Sequence, residues 1–266
     1  MADYRNVDIK PKTDPDPDPN LAKANHAATS LIDENSRQLD HRLLARLHDA
    51  VLAPTLGEGR SVVRQAVMSG VRSEDIADYY IPTLARSFGD LWCEDEMSFA
   101  EVTIAVSRLQ SILRDLEAFW PGANAPGSQS VATLLLIVPR DMFHTLGAFV
   151  LTGQLRRRGI SVKMVLGGNT SGLADELRAC KFDAIFVSAS QSDSLVSLRG
   201  VVDAVQAATR DTPPVVVGGK ILDVVSAETL MAETGADHAT GNTEEALRHC
   251  GVLLTTRDDA PAKKQG

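Results

Sequence analysis

Several things are scarce in this 266-residue chain, and each scarcity removes a class of protein. There are three cysteines, Cys93, Cys180 and Cys250, far apart and outside any CxxC spacing. That argues against a disulfide framework and against a cysteine-built zinc site, and it predicts reduced thiols. Basic residues are outnumbered, 27 Lys and Arg against 35 Asp and Glu, for a net charge of -8. A chain so charged lacks the broad positive field that holds phosphate backbones, so no strong direct nucleic-acid binding is expected. No apolar run approaches the roughly 20 residues of a membrane span, and the first residues carry no basic-then-apolar signal. The expectation is therefore a cytoplasmic protein that does not enter membranes.

Phosphate loops are missing as well. The first apolar run is followed by neither GxGxxG nor GxxxxGK[ST], and "LGGNTSG", after the second, is in the wrong place for that role. No acid–base or nucleophile constellation stands out, so catalysis is not expected. Glu94-Asp95-Glu96 and Glu244-Glu245 read as solvated charges at helix ends.

What is present falls into five parts. Residues 1–36 contain "KPKTDPDPDPN", where alternating Asp and Pro oppose both helix and sheet, and predict a disordered tail. Residues 37–120 have helical apolar spacing and no strand signal. "HRLLARLHDAVL" and "SVVRQAVMSG" are two amphipathic helices, the second stopping at Gly70. Ser73 reads as the N-cap of the next helix, with a disturbance at Pro82, and Ser98 with Glu101 forms a capping box before another helix. The expectation is a bundle of four or five helices. Residues 121–130, "PGANAPGSQS", read as a linker. From 131 to 256 the period changes: continuous apolar runs at 131–138, 162–166, 184–187 and 215–217 alternate with helix-length segments, and a short fifth strand is expected near 236–240. Such runs are what buried parallel strands look like, so an open, doubly wound α/β sheet is predicted. Residues 257–266 are a second tail.

Ligands of such sheets bind at the carboxyl ends of the strands. There the sequence offers "RDMFHTLG" after the first strand, "SASQSDSL" after the third and "GGK" after the fourth. Neutral imidazole is a good ligand for transition metals, which singles out His144, although a histidine at a helix start is more often a surface or capping residue. Ser188, Ser190, Ser192 and Ser194 are either turn and cap residues or a row of hydroxyls for a buried polar ligand. Gly218 and Gly219 make either a tight turn or room for a bulky ligand.

The combination resembles the cobalamin-binding domain family, with its helical cap and Rossmann-like five-stranded parallel sheet. His144 and Gly147 match the His-x-x-Gly part of that family's Asp-x-His-x-x-Gly pattern, Ser188 and Ser192 its hydroxyl pair, and Gly218-Gly219 its glycines. The resemblance implies that His144 ligates cobalt from below, and that Thr145, Gly147, Ser188, Ser190, Ser192, Gly218 and Gly219 line the nucleotide tail. Trp92 would lie over the upper corrin face. The family's orienting acid is replaced by Met142, with Asp141 one residue further away, which alters the support of the histidine. The family's upper Glu-His pair is replaced by Val102 and Thr103, so a second ligating histidine would have to be His26, His41 or His48.

Within that family, "SFAEVTIAVSRLQ" and "HTLGAFVLTGQLRRRG" resemble the AerR/PpaA group of photosynthesis gene regulators, relatives of the AppA SCHIC domain and of CarH. What this implies is a light- or redox-responsive antirepressor that binds adenosyl-, methyl- or hydroxocobalamin and acts on a PpsR/CrtJ-type transcriptional repressor. A corrinoid methyl carrier and a haem-binding sensor are the alternatives, and homo-oligomerisation is left open.

Overall fold

The computed structural model describes residues 39–55, 57–117, 120, 130–139, 145–167, 170–209 and 211–252. Both expected tails, nearly all of the 121–130 linker, and Asp141, Met142, His144 and His26 lie outside the described residues.

The chain begins with helices α1 (His41–Leu52) and α2 (Glu58–Met68), then a helical segment α3 over residues 73–93, then α4 (Phe99–Glu117). Asp40 caps α1, its carboxylate accepting from the amides of Arg42 at 2.8 Å and Leu43 at 3.4 Å. At the other end of α1, Arg108 donates to the carbonyls of Val51 (2.6 Å) and Ala53 (2.7 Å), satisfying acceptors that a helix terminus leaves open. The capping box of α4 is present: the Ser98 amide donates to Glu101 at 2.8 Å and the Glu101 amide to the Ser98 hydroxyl at 3.3 Å.

One expectation needs correction. Ser73 is the first helical residue, not the N-cap; Arg72 takes the capping position without a side-chain bond, and Ser73 is buried with its hydroxyl donating to Glu74. The disturbance expected at Pro82 is a π-turn on its amino-terminal side: Ser73–Asp75 is α-helical, Ile76–Tyr80 is π-helical, and Ile81–Cys93 resumes the α form, Pro82 having no amide to donate to the preceding turn.

The second half alternates strands and helices: β1 (Ala132–Val138), α5 (Thr145–Arg157), β2 (Ile160–Leu166), α6 (Thr170–Ala179), β3 (Ala184–Ala189), α7 (Leu195–Ala208), β4 (Val215–Gly219), a 3-10 turn (Lys220–Asp223), α8 (Ala227–Thr234), β5 (His238–Ala239) and α9 (Thr243–His249). All four pairings are parallel and the order is β2-β1-β3-β4-β5. Side chains alternate across the sheet. Leu134, Leu136 and Val138 face a layer containing Ala148 and Leu155 of α5 and Leu247 of α9. Leu135 and Ile137 face Leu173, Leu198, Val202 and Leu230 of α6, α7 and α8.

Helix α5 joins the two halves. While Ala148 and Leu155 pack on the sheet, Leu146 and Val150 belong to the cap's core with Phe88, Leu109, Leu113 and Leu116. The Gln110 amide donates to Thr145 at 2.9 Å, and Glu117 meets Arg156 at 3.3 Å. Because the contacts follow the same order along both helices, α4 and α5 run parallel. Arg157 completes the junction: its Nη2 donates to both oxygens of Asp78 at 2.6 Å, and the guanidinium lies 4.2 Å from the ring centre of Trp120. Gly153 keeps the space for that ring, since a Cβ there would come within 2.8 Å of it.

Burial is the largest influence on Asp78 and raises its carboxyl above the ordinary range, against the lowering effect of Arg157. Arg157→Met should therefore cost about 3 kcal/mol at neutral pH by taking from a largely buried carboxylate its charged partner, Gln154 remaining as a neutral one. Since a raised folded pKa adds stability below the ordinary carboxylate value and loses it as pH rises, the deficit should shrink on acidification. Urea unfolding of both proteins at neutral and mildly acidic pH checks this.

Candidate functional site

The strand order reverses at β1 and β3, whose outgoing helices α5 and α7 leave on opposite faces of the sheet. That divergence opens a crevice at the carboxyl edge, where open α/β sheets bind ligands. Its floor is formed by the last rungs of the ladder. Ser188 pairs with Gly218 and Ala189 with Gly219, so these residues extend the strands instead of forming the loops expected from sequence. The backbone explains why two of them lack side chains. A Cβ on Gly218 would run into the carbonyl oxygen of Thr240, and one on Gly219 into that of Ala189; Gly219 also has φ of 103°.

The serines divide between roles. Ser188 is half-buried at the end of β3. Beyond it, the Ser190 amide and hydroxyl both donate to Asp193, at 2.7 and 3.0 Å, and the Ser190 and Ser192 hydroxyls lie 2.9 Å apart. Ser194 caps α7, accepting from the Ser197 amide. Thus Ser194 is a cap residue, while Ser190 and Ser192 form an Asp193-braced hydroxyl turn at the crevice.

On the other side of the crevice stands the start of α5. Thr145 is buried and accepts from Gln110, so its hydroxyl serves the cap contact. Gly147 is exposed, and a Cβ there would meet nothing within 4 Å. The protein's own packing therefore gives no reason for a glycine; its missing side chain leaves space open toward solvent at the helix start.

The roof comes from the cap. Gln110 lies beside the first residue of α5, and α4 extends eleven residues further back to Phe99, about 16 Å at 1.5 Å per residue. The amino-terminal half of α4 therefore projects past the carboxyl edge of the sheet. Trp92 and Phe99 sit on this projecting end with ring centres 6.1 Å apart, both largely exposed. Two half-exposed aromatic rings thus stand together at that end of the cap. His41 is exposed on α1, whereas His48 packs on Phe88 at 5.2 Å and lies 3.2 Å from Asp49.

Apolar rings above, glycine backbone and small hydroxyls below, and an open first turn beside them describe a site for a large, partly flat ligand carrying a polar tail. Comparison with known proteins agrees. Residues 132–250 match the model of the B12 binding domain. A protein of Rhodobacter capsulatus, described as an uncharacterized 20.5 kDa protein in the bchF-crtJ intergenic region, is 38% identical over 169 residues, covering 64% of this chain and 86% of its own length. This chain belongs to the B12-binding domain family. The monomethylamine corrinoid protein of Methanosarcina barkeri has the same fold: TM-score 0.62 at 17% identity, over 81% of this chain and all of that one. The helical cap and five-stranded Rossmann-like sheet expected from sequence are present, and that protein shares the fold.

The residues fit the group on their own terms. Gly218 and Gly219 expose backbone, Ser188, Ser190 and Ser192 offer hydroxyls, and Gly147 leaves unclaimed space. Gly147→Ala separates occupancy from folding. Alanine in the open first turn should leave stability unchanged or raise it by up to about 1 kcal/mol, while cobalamin retention falls. Thermal unfolding and equilibrium dialysis with hydroxocobalamin, run on the same preparation, measure the two effects.

Proposed function

We propose that this protein is a cobalamin-binding, non-catalytic regulator that responds to light or redox state and acts through a PpsR/CrtJ-type repressor. The observation that carries the reading is kinship with the Rhodobacter capsulatus protein whose gene lies in the bchF-crtJ intergenic region. The reading is also supported by the B12 binding domain match over residues 132–250, by the glycine backbone and hydroxyls gathered at the carboxyl edge of the sheet, and by an acidic chain unsuited to broad contact with DNA.

In this reading His144, which the sequence puts immediately before α5, would hold the cobalt. Ser188, Ser190, Ser192, Gly218 and Gly219 take the nucleotide tail, with Gly147 leaving room for it, and Trp92 shields the upper face. Bound cobalamin would supply an upper cobalt ligand that light or redox change can remove. The chain's contribution is to hold that face beneath the overhanging end of the cap, so that its state is felt by α4 and α3. Cytoplasmic residence follows from this role; no helix among the described residues is long and apolar enough to cross a membrane.

The test is the ultraviolet-visible spectrum of protein mixed with adenosyl-, methyl- or hydroxocobalamin, desalted, in darkness and after illumination. A retained corrin spectrum that changes with light is expected, with the change absent in His144→Ala while the helical content is kept. Retained but light-indifferent cobalamin would remove the light response and favour methyl transfer or a passive cobalamin sensor, and absence of any retained corrin would overturn the reading and reopen a haem sensor or a cofactor-free interaction protein.

A further inference from the structure

Away from the crevice, at the outer edge of the sheet, three potential ligands meet. His238 opens β5, the outermost strand, and Glu245 and His249 stand one turn apart on α9. One Glu245 oxygen, Oε1, lies 3.3 Å from His238 Nε2 and 3.9 Å from His249 Nε2. Its other oxygen accepts the Thr240 hydroxyl at 2.6 Å. This hydrogen bond is the main reason the carboxyl titrates below its ordinary range. The donor atoms of all three residues lie within 4.8 Å of one another.

We propose that His238, Glu245 and His249 form a binding site for a divalent first-row transition ion of the zinc class. Two imidazoles and one carboxylate are a donor set that such ions favour. Bonds of about 2.0–2.2 Å place neighbouring ligands of a tetrahedral ion about 3.4 Å apart. His238 and Glu245 already have that spacing. His249 must approach Glu245 by about half an ångström, and its ring, stacked on His238 at 3.5 Å between centres, must splay. Its side chain is 50% exposed and free to do so.

The two inner ligands are already prepared. His238 Nε2 is shut off from solvent and has no hydrogen-bond partner of good geometry, a cost that coordination removes. Thr240 fixes the carboxylate so that Oε1 faces both rings, as outer partners do in metal sites. The neighbouring Cys250 packs on the core under α9 and is not one of the three clustered donors. This site is distinct from the cobalamin crevice and does not rest on the proposed function, although Thr240 touches both, its hydroxyl on Glu245 and its carbonyl against Gly218.

The test is isothermal titration of Zn2+ into the cobalamin-free full chain. One equivalent at micromolar affinity or better is expected, kept in a Cys93→Ser/Cys180→Ser double variant and in His41→Ala, and weakened at least tenfold in His249→Ala. His249 is exposed, so that variant should fold; Glu245→Gln, which can still accept from Thr240, should weaken binding likewise. Stoichiometric binding that survives both ligand substitutions would overturn the site, as would absence of any micromolar binding.

Discussion

Everything at the crevice depends on one helix serving two cores. The sheet buries Ala148 and Leu155 of α5, and the cap buries Leu146 and Val150. Removing the cap would return the second pair to water and strip the bundle of part of its own core. Apolar burial of this kind is strong but non-directional. Direction comes from polar contacts, Gln110 with Thr145 and Glu117 with Arg156, which fix α4 parallel to α5, while Arg157 ties α5 to Asp78 of α3. The overhang of the cap is a consequence of that parallel register: an antiparallel α4 would have carried its amino-terminal half toward the opposite edge of the sheet.

The strands were easy to read because parallel strands are covered on both faces and so show as unbroken apolar runs. Where the reading slipped, the cause is local. β2 is an edge strand and exposes Ser161 and Lys163, so the apolar run starting at Val162 hides its first two residues. β3 and β4 continue through Ser188-Ala189 and Gly218-Gly219, residues of weak strand propensity held in the ladder by each other's backbone. The π-turn in α3 includes buried Ile76, Ala77 and Tyr80 and ends two residues before Pro82, so the proline marks the place but not the extent of the irregularity.

The site was legible to a different degree. Position along the chain was enough to bring Ser188, Ser190, Ser192, Gly218 and Gly219 to one edge, since the topology of a doubly wound sheet does so automatically. It could not show that the glycines are also required by the protein's own carbonyls, because Thr240 and Ala189 are brought against them only by strand pairing. Nor could it separate Thr145, spent on the cap, from Gly147, which packs against nothing. Glu245 looked like a solvated helix-start charge because its neighbours in space, His238 and His249, come from a two-residue strand and the far end of a short helix. The Glu-x-x-x-His spacing was the available signal.

These contacts also decide which part of the molecule yields when the content of the crevice changes. The floor is stiff: ladder bonds hold Ser188 to Gly218 and Ala189 to Gly219, and the missing side chains let carbonyls close directly on the glycines. The roof is attached more narrowly, through one apolar patch on α5 and the polar contacts at its ends. A ligand bounded by a rigid sheet and a roof held by one helix works mainly against the roof. The lever is long, about 16 Å from Gln110 to Phe99, so a small tilt at the α4–α5 contact becomes a larger displacement of Trp92 and Phe99.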